Sequence, residues 1–204
     1  MNKLTVVDLK KMFTTALEVI VAKENEFSQL DAVIGDGDHG TAMTAAFTAA
    51  VEALNVDSDF KQTLGDMGMN VMLKTSGSTS TLLGGFILGM SDNSEGTELD
   101  TAGVKKMFKG GLEGVAKNTN AKPGDKTMMD ALYPGIEAMQ ECTSDSIKEV
   151  IAAGAAAAKA GAEGTVAMKA NFGRARNYGE KSIGFMDSGA ASWSTMLQAF
   201  SDAL

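Results

Sequence analysis

The chain has 204 residues, of which 44% are hydrophobic and 6% aromatic, and its formal net charge is −8. This acidic balance argues against a protein that binds nucleic acid through its phosphates. The single cysteine, Cys142, excludes an intramolecular disulfide bond and is typical of a reducing cytoplasm. No apolar run approaches the roughly 20 residues of a membrane span, and the amino terminus lacks the apolar core of a signal peptide. We therefore expect a cytoplasmic protein that forms one domain over residues 1–204.

Apolar side chains recur at helical spacing along most of the chain, and there are only two prolines to interrupt helices. The first such pattern covers residues 5–27. The Ala-rich stretch 152–162 should let a neighbouring helix approach closely, although helix propensity alone also explains it. The further predicted helices are 41–54, 60–74, 82–91, 101–116, 126–141, 145–170 and 190–203. Because each of the eight helices has one apolar face, they should assemble around a common core as an all-α protein.

The most informative segment lies between the first two predicted helices. Asp31, Asp36, Asp38 and the only histidine, His39, fall within nine residues, and the run 31–41 contains three glycines. Carboxylates this close repel one another unless a cation lies between them, and hard oxygen ligands favour Mg²⁺ or Ca²⁺. The segment therefore predicts a metal-binding loop.

Three other interpretations of this loop are weaker. Residues 35–40 match the dinucleotide-binding pattern G-x-G-x-x-G, but that pattern needs a preceding strand and a surrounding βαβ unit. An EF-hand loop counted from Asp36 requires Glu at its twelfth position, where Phe47 stands. Aspartates that only cap the next helix would explain one carboxylate and not three.

Two further polar loops precede predicted helices. The hydroxyl-rich stretch 75–81 can bind phosphate oxygens, although a flexible Ser/Thr loop fits it equally well. The stretch 122–129 lacks the residue order of a Walker A loop. Within it, Asp125 should cap the helix that follows. Met128 fits either a flat slot for a nucleotide base or the protein core.

A fourth loop extends over residues 173–192. Arg174 can form a forked contact to phosphate or a surface ion pair, and Asp187 is a natural N-cap for the last helix. In an up-and-down array of helices, loops at one end lie close together. Because helix starts offer unpaired N–H groups and partial positive charge, the four loops predict one shared Mg-phosphate pocket.

The chain resembles the nucleotide-binding L subunit of dihydroxyacetone kinases, and the motifs follow the family's order over essentially the whole chain. They are G-D-G-D-H-G-T at 35–41, K-P-G-D-K-T-M at 122–128, G-R-A at 173–175, G-E-K-S-I-G at 179–184 and D-S-G-A-A-S at 187–192. Two stretches depart from the family pattern. S-G-S-T-S-T-L at 76–82 replaces G-G-x-S-G-P-L, and F-M-D-S-G at 185–189 replaces H-Q-D-P-G. The resemblance implies an eight-helix antiparallel up-and-down barrel with its ligand site at one end.

The resemblance also implies ADP or ATP as a ligand, bound through two Mg²⁺ ions. On this interpretation Asp31, Asp36 and Asp38 hold the metals, and Asp36, Asp38 and Arg174 carry the catalytic role. The expected nucleotide contacts are His39, Gly40, Thr41, Ala42, Ser78, Thr79, Met128, Arg174, Asp187, Ser188 and Gly189.

The function that these features predict is that of the nucleotide-binding subunit of a dihydroxyacetone-type kinase. The family implies a separate K subunit that holds dihydroxyacetone or a related short ketose, such as erythrulose. In bacteria it also implies a phosphocarrier M subunit of the phosphoenolpyruvate-dependent phosphotransferase system (PTS), which recharges the bound ADP. Two alternatives stay open: a non-catalytic nucleotide sensor that binds a transcription factor or a degenerate K-like partner, and a metal-dependent phosphatase. A homodimer is also compatible with the sequence.

Overall fold

The structure is a computed structural model that describes residues 2–204. This part of the chain forms nine α-helices and two short strands, and none of these helices is long and apolar enough to cross a membrane. The helices are α1 (Val6–Ala22), α2 (Glu24–Ile34), α3 (His39–Glu52), α4 (Phe60–Lys74), α5 (Ser78–Asp92), α6 (Thr101–Ala116), α7 (Met129–Glu141), α8 (Ile147–Gly164) and α9 (Ser188–Asp202). The strands β1 (Leu4–Thr5) and β2 (Glu98–Leu99) pair antiparallel, with Leu4 opposite Leu99.

Eight of the helices form a closed ring. The helix α1 packs against α3, each helix from α3 to α8 packs against the next, and α9 returns to α1. The remaining helix, α2, packs on α3 and α9. The predicted all-α, eight-helix antiparallel barrel is therefore confirmed.

The prediction of a single helix over 5–27 is wrong. The first helix ends at Ala22, and α2 starts at Glu24 and extends to Ile34. Phe27 and Ile34, which lie on one face of α2 two turns apart, are both buried. This second apolar face explains why a separate helix forms there, and it brings Asp31 onto the last turn before the glycine-rich loop.

Two helix starts differ from the prediction by three residues or more, and α8 ends at Gly164 instead of at residue 170. The helix α5 begins at Ser78, four residues before the predicted start, so residues 78–81 of the hydroxyl-rich stretch form its first turn. The helix α7 begins only at Met129, and Asp125 does not cap it. The Asp125 carboxylate instead accepts the Lys122 N–H at 2.8 Å, which folds residues 122–125 into a turn.

One of the close helix contacts in the ring joins α5 to α6. A methyl group added at Gly114 would collide with the carbonyl oxygen of Gly85, and one added at Gly89 would collide with that of Gly110. Glycines four residues apart on each helix therefore let the two main chains touch. The predicted close approach along 152–162 is confirmed too, because Gly161 packs directly on the Asp130 carbonyl of α7.

A row of buried aromatic rings fills the inside of the ring of helices. Successive ring centroids are 5.0–6.4 Å apart, the usual range for favourable aromatic pairs. The row is Phe47, Phe13, Phe200, Phe108, Phe86 and Trp193. It ends at Trp193, the only tryptophan of the chain, which also borders the cavity described next.

Candidate functional site

A cavity of about 640 Å³ lies at one end of the ring. Ala42 of α3, Ser78 of α5, Met128 just before α7 and Ser188 of α9 line it, and so does Asn118 just after α6. Four helices therefore begin at this cavity and α6 ends there, as an antiparallel order requires. Its volume suits a small organic ligand, and the helix starts favour an anionic one.

Three carboxylates converge at the cavity wall. Asp31, on the last turns of α2, and Asp36 and Asp38, on the loop before α3, place one oxygen each within 4.8 Å of one another. The Asp31 carboxylate is fixed on both sides, since it accepts the Gly37 N–H at 2.7 Å and the Ser188 hydroxyl at 3.2 Å. Clustered oxygens from short, fixed side chains suit a hard divalent cation such as Mg²⁺.

Helix capping does not explain this cluster. Asp38 stands at the N-cap position of α3, but its backbone is helical (φ −96°, ψ −6°). Within residues 2–204 its side chain makes no capping hydrogen bond. Asp36 instead forms an exposed ion pair with Arg174. The interpretation of these aspartates as simple caps is therefore wrong.

His39 is held between two hydroxyl groups. Its Nε2 lies 2.8 Å from the Ser192 hydroxyl and its Nδ1 lies 3.3 Å from the Thr79 hydroxyl. Because the Ser192 proton is donated to the Gly189 carbonyl at 3.0 Å, Ser192 accepts from Nε2–H and Nδ1 accepts from Thr79. Burial lowers the pKa of His39 to about 4, against an opposing effect of Asp31, so the ring is neutral at pH 7.

We expect Ser192→Ala to weaken binding of an Mg-nucleotide roughly fivefold, because it removes one hydrogen bond, worth about 1 kcal/mol, that orients His39. Titration of the purified variant, followed through Trp193 fluorescence, measures this change. Ser194→Ala is the matched control, since that hydroxyl donates to the Ala191 carbonyl of its own helix. Equal affinity in Ser192→Ala and the wild type would contradict the role given to Ser192.

Asp187 caps α9, as predicted: its carboxylate accepts the Ala190 N–H at 2.7 Å. Burial raises the pKa of Asp187 to about 7, although the Ala190 hydrogen bond opposes the shift and Asp130 reinforces it. The surroundings of the Asp187 carboxylate therefore disfavour its negative charge, and a cation in the cavity would favour the charged form.

Lys126 is the most unusual residue at the site, and its role was missed in the sequence. It has a left-handed backbone (φ 60°) although it is not glycine, and only 1% of its surface is exposed. Its ammonium group donates to four main-chain carbonyls of the segment between α8 and α9. Burial lowers the pKa of Lys126, and the Asp187 carboxylate opposes this.

Most of the predicted site residues do line the cavity. They are Asp31, Asp36, Asp38, His39, Ala42, Ser78, Thr79, Met128, Arg174, Asp187, Ser188 and Gly189. Two are placed differently: Gly40 packs against α2, and the Thr41 hydroxyl donates to Glu24 at 3.3 Å. The ligand contacts of all these residues stay predictions.

One wall of the cavity was not predicted from the sequence. The stretch Asn118–Ala121, which follows α6, contributes it. The polar run Asn-Thr-Asn directly before the 122–128 motif was the available signal.

A helical barrel whose cavity combines several helix starts with a cluster of three carboxylates has the features of a protein that binds an anionic ligand together with a divalent cation. The model of the DAK2 domain matches residues 33–202, so this chain belongs to the DAK2 domain family. It is 34% identical to the ADP-binding subunit DhaL of the PEP-dependent dihydroxyacetone kinase of Escherichia coli, over 88% of each chain. A corresponding Listeria innocua subunit is 35% identical over 87% of this chain and 86% of its own. The expected resemblance to L subunits, which are phosphotransferase components, is therefore confirmed.

Longer relatives contain the same unit. The L-erythrulose 1-kinase of Mycolicibacterium smegmatis is 33% identical over 93% of this chain, which spans 34% of that kinase. The crystal structure of the C. freundii dihydroxyacetone kinase superposes with a TM-score of 0.73 at 21% identity, over 96% of this chain and 34% of that one. Its complex with AMP-PNP and Mg²⁺ gives a TM-score of 0.72 at 19% identity, over 100% and 35%. This chain thus spans about a third of these proteins, and the two structures show that the fold is shared.

Proposed function

We propose that this chain is the nucleotide-binding subunit of a dihydroxyacetone-type kinase and holds ADP or ATP through two Mg²⁺ ions. The observation that carries the proposal is the convergence of Asp31, Asp36 and Asp38 within 4.8 Å in a cavity bordered by four helix starts. Carboxylates hold cations and helix starts hold phosphates, so both halves of an Mg-nucleotide find a partner in one cavity.

The positions of the residues support separate roles in phosphoryl transfer, with some binding the metal ions and others binding the phosphates. Bound Mg²⁺ would supply neutralisation of the phosphate charge. Asp31, fixed by Gly37 and Ser188, supplies a rigid ligand, while the more exposed Asp36 and Asp38 complete the set. Arg174 carries a fixed positive charge at the rim and offers forked donors to a phosphate. The main-chain N–H groups at the starts of α3 and α5 add further donors.

The acceptor that we propose is a short ketose presented by a separate K subunit. Dihydroxyacetone is the first candidate because the E. coli and L. innocua relatives are subunits of kinases for it. Erythrulose is the second, since kinases named for it contain a comparable unit. For the donor, we propose phosphoenolpyruvate acting through a PTS phosphocarrier M subunit, by which ADP would be recharged in place.

Reconstitution tests this proposal. The purified chain is combined with a ketose-binding K subunit, a phosphocarrier M subunit and the phosphoenolpyruvate system, and phosphorylated ketose is measured. We expect product from dihydroxyacetone or erythrulose that depends on both this chain and Mg²⁺. Mg-nucleotide binding without transfer to either ketose would instead favour the sensor interpretation. Phosphate release from sugar phosphates without nucleotide would favour the phosphatase.

A further inference from the structure

The ammonium group of Lys126 occupies a cage of main-chain oxygens. It lies 2.8 Å from the carbonyl of Thr165, 3.1 Å from that of Met168, 2.7 Å from that of Ser182 and 2.6 Å from that of Phe185. An ammonium group has three protons and no acceptor, so these oxygens share its donors around one positive charge. A buried charge is stable only where such partners surround it.

The four carbonyls come from the two ends of one segment. Residues 165–187 leave α8, pass over the cavity and return to α9. Their ends are joined directly, since the Gly184 N–H donates to the Val166 carbonyl at 2.8 Å and the Asp187 N–H to the Thr165 hydroxyl at 3.0 Å. Lys126 thus touches both ends of a closed loop from a third element, the turn before α7.

The same turn is itself fixed to α7. The Asp130 carboxylate accepts the Gly124 N–H at 2.5 Å and the Thr127 N–H at 2.8 Å. These two hydrogen bonds hold the backbone on both sides of Lys126. The Asn171 N–H donates to the Asp125 carbonyl at 3.1 Å and adds a second tie to the segment. The position of residues 165–187 therefore depends on α7 through this turn.

We propose that Lys126 is a positioning residue, whose buried ammonium group fixes the 165–187 segment so that Arg174 and Asp187 stay at the cavity. This inference rests on the proposed function only for its effect on nucleotide binding. Arg174 lies in the middle of the segment, where mostly exposed residues border the cavity. With the cage intact, its guanidinium is kept beside Asp36. A neutral side chain at position 126 would leave four carbonyl oxygens facing one another without a donor, and the segment would loosen.

Limited digestion with trypsin tests this inference without any ligand. The segment contains four exposed cleavage sites, after Lys169, Arg174, Arg176 and Lys181, and cutting requires it to open locally. We expect Lys126→Met to be cut there roughly tenfold faster than the wild type, with the helical circular-dichroism signal retained. Lys105→Met is the matched control, because Lys105 donates to the Gln140 and Cys142 carbonyls at the other end of the ring.

Segment cleavage at the wild-type rate in Lys126→Met would overturn the inference. Should this variant lack helical signal, the same comparison is made with Lys126→Arg, which keeps the charge but brings a larger planar group into the cage. Faster cleavage in the segment again supports the inference, and an unchanged rate overturns it.

Nucleotide affinity provides the second readout. When affinity is measured well below the melting temperature, we expect Lys126→Met to bind Mg-ADP roughly tenfold more weakly than the wild type. We expect Lys105→Met to bind like the wild type. A structural lysine would lower the melting temperature and leave this affinity unchanged, and that result contradicts a positioning role. If the wild type binds no Mg-ADP, the proposed function fails, whereas the trypsin comparison still decides whether Lys126 fixes the segment.

Discussion

Replacing Asp38 by alanine is expected to reduce Mg-nucleotide affinity more than roughly 100-fold and yet to stabilise the metal-free protein. The two effects have opposite signs because the three carboxylates attract a cation when it is present and repel one another when it is absent. Within residues 2–204 the Asp38 side chain makes no capping bond that the substitution would break. The expected stabilisation is about 1 kcal/mol, visible as a higher melting temperature in chelator.

Two further variants sharpen this test. Asp36→Ala should lose nucleotide affinity to a similar extent but gain less stability, because Asp36 has an ion-pair partner in Arg174. Asp92→Ala removes the same charge from the far end of α5 and should leave affinity unchanged. Calorimetric titration and thermal melting measure both quantities. Unchanged nucleotide affinity in Asp36→Ala and Asp38→Ala would remove the metal assignment.

Gly114→Ala is expected to cost about 3 kcal/mol of folding free energy, or about 10 °C in melting temperature. The added methyl would meet the Gly85 carbonyl, which belongs to main chain and cannot move aside as a side chain could. The helices α5 and α6 would have to separate, and the buried packing of Phe86 against Phe108 would loosen with them. Thermal unfolding followed by circular dichroism gives the shift.

The control for this prediction is Gly164→Ala at the end of α8. The nearest atom to the added methyl there is the Met168 Cε, 4.0 Å away, and the backbone is helical (φ −59°, ψ −27°). We expect it to raise stability by up to about 1 kcal/mol, because alanine is the better helix former. A Gly114→Ala protein as stable as the wild type would show that the α5–α6 contact is not tight.

Local features of the site could be predicted from the sequence, because the residues that act together there are also neighbours along the chain. Asp31, Asp36 and Asp38 lie within one short stretch, so their mutual approach needs no knowledge of the fold. The N-cap role of Asp187 likewise depends only on its neighbours. The helical ring was predicted in outline from apolar periodicity, and its closure followed from the family resemblance.

Features that depend on contacts between distant segments could not be predicted from the sequence. Nothing in the sequence singles out Lys126, and only the fold brings carbonyls from 39 to 59 residues further along the chain around it. The contact of Ser192 with His39 spans 153 residues. The start of α7 was misplaced for a related reason, since Asp125 holds the turn at Lys122 and leaves the helix start to later residues.

The central claim is that this chain holds a nucleotide through metal ions bound by the aspartate loop. Native mass spectrometry of the chain purified without added nucleotide, with and without a chelator, tests it most directly. We expect one ADP and two Mg²⁺ per chain, lost together on chelation, or their reversible uptake when Mg-ADP or Mg-ATP is added. A chain that binds no nucleotide with Mg²⁺ present would contradict it.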